Sequence, residues 1–77
     1  MKRVEVVWID IMSEGGWHTQ NRLDQFITQR NPVIQLGYLY EEDEHQIVLL
    51  DSYFEDKTLY GGIHTIPKGC IISVTEI

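Results

Sequence analysis

Five side chains in this 77-residue sequence could hold a metal or attack an electrophile: Asp10, His18, His45, His64 and Cys70. Their spacing is irregular. A structural zinc site draws on close pairs such as Cys-x-x-Cys or His-x-x-x-His, and a Cys-His nucleophile needs thiol and imidazole within hydrogen-bond reach. Neither pattern occurs in the chain. The spacing therefore predicts no metal site, no cofactor and no catalytic residue, and a non-enzymatic protein. Cys70, directly before Ile71-Ile72, reads as a small core residue, and His64, between Ile63 and Thr65, as a half-exposed strand residue. Asp10 and Asp51 end apolar strands, where lone carboxylates cap turns. Glycoside-type hydrolysis would need two carboxylates whose environments separate their pKa values. Gly15-Gly16 and Gly61-Gly62 lack the Lys and Ser/Thr of a phosphate loop and read as turns.

Binding has better support than catalysis, and it comes from the two tryptophans. Burying an indole stabilises by a few kcal/mol, roughly, so at least one of Trp8 and Trp17 is expected to anchor a helix on a sheet, with Leu23, Phe26 and Ile27 completing that core. Trp17 follows two glycines and precedes a polar helix start, which makes it the more exposed of the pair; a core role and a stacking role are both open to it. Exposed beside His18 and Arg22, it would offer a flat surface with a positive edge, suited to a nucleotide base and phosphate. The candidate ligand contacts are Trp17, His18, Arg22, His64 and Lys68, with helix-start amides assisting the basic side chains.

The elements that must position these residues follow from hydrophobic periodicity. Val4 to Asp10 is β-branched and mostly apolar, the pattern of a first strand. Ser13 to Gly16 turns the chain, and a helix begins at His18 or Thr19, with Leu23, Phe26 and Ile27 on one face and Asn31-Pro32 as its end. From Val33 to Glu42 a second strand alternates, Ile34, Leu36, Tyr38 and Tyr40 on one face and Val33, Gln35, Gly37 and Leu39 on the other, with Gly37 marking a bend. Glu41 to Glu44 forms a solvated hairpin tip. His45 to Tyr53 is a third strand, Phe54 to Gly62 a longer connection suited to recognition, and two last strands meet at Pro67-Lys68-Gly69.

Composition bounds the rest. The chain makes one domain, residues 1–77, whose small core leaves a thin stability margin; with a single Cys it has no internal disulfide, so self-association into a homo-oligomer is expected. Twelve carboxylates against six Lys and Arg give a formal charge of −6, which disfavours general nucleic-acid and anionic-membrane binding. No apolar run reaches the ~18 residues of a membrane span, and Met1-Lys2-Arg3 leads straight into strand. A cytoplasmic location is expected.

Gly37, Leu39, Asp43 and Val48 to Leu50 resemble the first motif of the Sm-like family, and Ile66, Lys68, Gly69, Ile71 and Ile72 resemble its second. The resemblance covers about half the chain and implies an α+β, mostly β fold: a strongly bent five-stranded antiparallel SH3/Sm-like barrel with one short helix after the first strand. The base-reading Asn of RNA-binding members would fall near Ile47, where no Asn occurs, so RNA readout of that kind is not expected. Trp8, Asp10, Gly16, Trp17, Gly37 to Leu39 and Ile66 to Ile71 also look like a layout found in small bacteriophage accessory proteins. That resemblance implies host-cell cytoplasm and anti-defence work, most concretely sequestration of a small nucleotide immune signal. The alternative is an acidic protein-interaction module that inhibits a host protein through Glu41 to Glu44 and the Phe54 to Tyr60 loop.

Overall fold

A computed structural model describes residues 1–77. Five strands and one helix follow in the order β1 (Arg3–Ile9), α1 (Gln20–Ile27), β2 (Pro32–Glu42), β3 (Gln46–Tyr53), β4 (Tyr60–Pro67) and β5 (Ile71–Glu76). The fold is α+β and mostly β, one antiparallel sheet ordered β4-β3-β2-β1-β5. No helix is long and apolar enough to cross a membrane.

The sheet is curled, and its shortest connection requires this. β4 and β5 are the two edges, yet only a 3₁₀ turn, Lys68–Cys70, separates them in the chain. Five strands ~4.8 Å apart would set the edges of a flat sheet roughly 19 Å apart. The step from Pro67 to Ile71 spans at most about 14 Å. The Lys68 N–H donates to the His45 carbonyl at 2.8 Å, which ties the turn to the head of β3. Register shifts between Val7 and Trp8, and between Leu39 and Glu41, add twist at two further points. Gly37 sits where β2 and β3 approach closely: a Cβ there would stand 3.2 Å from Leu49 Cβ and 3.3 Å from the Leu50 carbonyl oxygen.

Inside the curl, Val4, Val6, Ile47, Leu49 and Ile66 form the core, with Trp8, Leu39 and Ile71 packed against it. Pairing of Val4 with Gly37 and of Val6 with Gln35 puts Val33, Gln35, Gly37 and Leu39 on the inner face of β2. The alternation expected for β2 is present, but its more apolar face, Ile34, Leu36, Tyr38 and Tyr40, is the outer one. Ile34, Leu36 and Tyr40 are exposed there.

The helix departs from expectation in two ways. Thr19, one of the two starts the sequence allows, is its N-cap, accepting from the Arg22 N–H at 3.2 Å. It ends at Ile27, however, well before Pro32, with the Thr28 hydroxyl donating to the Gln25 carbonyl at 2.8 Å; Pro32 instead opens β2, where a missing N–H is tolerated. The second departure is larger. The helix was expected to complete the core through Leu23, Phe26 and Ile27, yet none of its residues is buried, and Leu23 and Ile27 are exposed. Residues 10–31 form an arm that leaves the β1–β2 hairpin, closed at its base by the Asp10 N–H donating to the Asn31 carbonyl at 3.1 Å. The arm contributes to a long molecule, 55 × 23 × 21 Å, with a radius of gyration of 16.4 Å. A compact chain of this length would have about 11.5 Å.

Candidate functional site

A half-open cavity of about 390 Å³ sits where the end of β1 meets β4 and the 3₁₀ turn. The curl of the sheet creates it, because the short turn draws β4 toward the β1 side. Trp8 forms one wall, and its indole N–H donates to Gln35 Oε1 at 3.0 Å, fixing both side chains and leaving the Gln35 amide nitrogen as a donor. Ile66 and Cys70 supply apolar surface, while Asp10 and His64 bring polar edges.

His64 is oriented by Asp51. Its Nε2 lies 2.9 Å from Asp51 Oδ1. The backbone under this pair is dictated by space: Gly62 has φ +65, and a Cβ there would lie 2.0 Å from Asp51 Oδ2. Asp10 Oδ1 accepts from the Ile11 N–H at 2.8 Å, just past the end of β1. Asp51 lies within β3 and caps no turn; it serves as a partner for an imidazole. Cys70 is half-buried at the cavity wall, not part of the central core.

The five residues singled out in the sequence fall into three places. Trp17, His18 and Arg22 share the arm, where Glu14 gathers the two basic side chains: Arg22 Nε donates to Glu14 Oε2 at 2.8 Å, its Nη2 pairs with Glu14 Oε1, and His18 Nδ1 lies 3.4 Å from Glu14 Oε2. The Arg22 hydrogen bond, and then its charge and that of His18, hold the Glu14 carboxyl below the usual carboxylate range; in return Arg22 is raised above its ordinary value, first by that hydrogen bond. Trp17 is fully exposed, at 103% of its reference area, which rules out the core reading for it in the isolated chain. His64 lines the cavity. Lys68 sits in the 3₁₀ turn with its ammonium 2.8 Å from Glu42 Oε2.

Each basic candidate is thus already held by a carboxylate, a pairing that spacing along the chain does not reveal. Gln35 and Trp8 were not among the candidate contacts. The available signal for Gln35 was an amide at an inner-face position between Val33 and Gly37, a place where a polar side chain requires a partner. The hairpin tip behaves as a solvated turn: Asp43 Oδ1 accepts from the His45 and Gln46 N–H groups at 2.7 and 2.9 Å, and these bonds, with Lys68 nearby, lower its pKa.

No protein-family model, no curated protein and no solved structure matches this chain.

Proposed function

We propose that this chain is a non-enzymatic accessory binding protein of the bacteriophage type that sequesters a small nucleotide-like ligand as a homo-oligomer. The observation that carries the reading is the cavity beside Trp8. Its volume of about 390 Å³ suits a small molecule, and it combines an indole wall with the free amide nitrogen of Gln35 and the imidazole of His64. Apolar walls with a few convergent polar groups suit a heteroaromatic base. Phosphate would be met by basic groups released from carboxylate partners: His18 and Arg22 from Glu14 on the arm of another copy, and Lys68 from Glu42. On this reading the curled sheet is an SH3/Sm-like barrel whose β4-to-β5 corner frames the site.

Thermal shift with a panel of cyclic and dinucleotides tests the proposal. A ligand should raise the melting temperature of the native chain, His64→Ala and Trp17→Ala should lose the shift, and mass spectrometry should return the ligand intact. No shift with any nucleotide overturns sequestration; a converted ligand overturns the non-enzymatic reading. A second reading, an acidic module that inhibits a host protein, draws on the exposed Phe54 and Leu59 beside the carboxylates of their loop. It predicts no nucleotide shift and loss of inhibition in Phe54→Ala.

A further inference from the structure

The arm and the outer sheet face are apolar surfaces with nothing over them. On the arm, Trp17, Leu23 and Ile27 are exposed. On the outer face of the sheet, Ile34 and Ile63 are 69% and 67% exposed and Leu36 lies between β1 and β3 with its side chain in solvent. That face holds a concavity of about 190 Å³ lined by Tyr40, Val48, Leu50, Tyr60 and Ile63, all apolar or aromatic. Val48 and Leu50 are nearly inaccessible at its floor, and Tyr40 and Tyr60 stand edge to face with centroids 5.4 Å apart.

We infer that the chain forms a two-fold dimer by exchanging arms, the Trp17 to Ile27 surface of each copy lying on the outer sheet face of the other. The area available is enough for a second copy as the occupant. The chain exposes 5985 Å², whereas a folded monomer of 9.0 kDa exposes about 4,850 Å². The excess of about 1,100 Å² per chain exceeds the roughly 800 Å² per partner of a standard interface. An arm that reaches away from its own sheet, and a sheet face left open on the same chain, give two equivalent contacts in a closed pair. Trp17 is the largest exposed apolar side chain, and a tryptophan entering a concavity is the usual anchor of such a contact. This contact lies on the face opposite the cavity beside Trp8 and is tested without ligand, so its failure and that of sequestration are distinguishable.

The test is light scattering after gel filtration of the full chain and two exposed-site variants, Leu23→Glu on the arm and Leu36→Glu on the face. The native chain should run as a dimer and each variant as a monomer with unchanged circular dichroism in the strand region. Mixing the two variants should restore a dimer, because the pair keeps one intact arm-to-face contact while each variant alone keeps none. A native monomer at about 100 μM, or a face variant that stays dimeric through arm-to-arm packing, or an arm variant that stays dimeric through face-to-face packing, overturns the inference. A second readout requires no disruptive variant. The native-minus-Trp17→Phe fluorescence spectrum should shift from solvated to blue-shifted emission as concentration rises through the dimer range. Solvated emission at every concentration, or blue-shifted emission from a monomer whose arm has folded onto its own sheet, overturns it as well.

Discussion

At the scale of single residues, the Asp51–His64 pair depends on one missing Cβ. Gly62 takes φ +65 directly beneath the Asp51 carboxylate, so an alanine there meets Asp51 Oδ2 at 2.0 Å, its Cγ at 2.5 Å and its Cβ at 2.7 Å. A left-handed non-glycine residue costs about 1–3 kcal/mol before any clash is counted. Gly61 is the natural control, since a Cβ there meets only the Ser52 hydroxyl, at 2.9 Å, and that side chain can rotate away. Gly62→Ala should therefore lower the urea midpoint clearly, with Gly61→Ala close to native; equal midpoints for the two would refute the steric account. The sequence marks both glycines as turn residues, and turn chemistry alone does not distinguish them. What distinguishes them is a side chain eleven residues away whose position depends on the β3–β4 register, in which Ser52 pairs with Gly61 and Leu50 with Ile63.

At the scale of elements, strands were far more legible than the helix. Alternation along β2 and the apolar runs of β1 and β3 place those strands within about a residue of their observed ends, because a two-residue period with β-branched side chains admits few other structures. The Leu23, Phe26 and Ile27 stripe correctly marks a helix, but a stripe does not say which surface will cover it, and in this chain Leu23 and Ile27 stay exposed. In β2 the same ambiguity appears as two apolar faces, one of which ends up in solvent. The arm is held near its start by Glu14, and this gives it a pH dependence. Since the folded carboxyl titrates below its ordinary value of 4.5, the Glu14–Arg22 contribution is complete above that value and is lost as pH falls through the lowered one. Asp43 and Asp56 are also lowered, by backbone and Thr58 hydrogen bonds, so whole-molecule unfolding mixes three groups in one window. Residue-resolved amide exchange separates them: protection across Gln20–Ile27 should fall below pH 4.5 in the native chain, and Arg22→Gln should show weak protection with no such step. A step that survives in Arg22→Gln would assign the transition to another carboxyl.

At the scale of the whole molecule, seven buried residues must hold a sheet of five strands, and all seven are apolar. A core that small gives little margin alone. Exchange of arms would add burial on the opposite side of the same sheet, at Ile34, Leu36, Tyr40 and Ile63, so folding and association would draw on both faces of one sheet. Mass action then makes stability depend on concentration. A hundredfold rise in protein concentration favours a folded dimer over two unfolded chains by about 2.7 kcal/mol, or about 1.4 kcal/mol per chain, which for a domain of this size raises Tm by on the order of 5–10 °C. Leu36→Glu, which changes only the outer face, should melt at one temperature regardless of concentration. Leu49→Ala, a fully buried site, should cost about 2–5 kcal/mol and lower Tm at every concentration while keeping the native concentration slope. Scanning calorimetry over that range separates the two contributions, and a native Tm that does not move with concentration would leave the inner core as the sole source of stability.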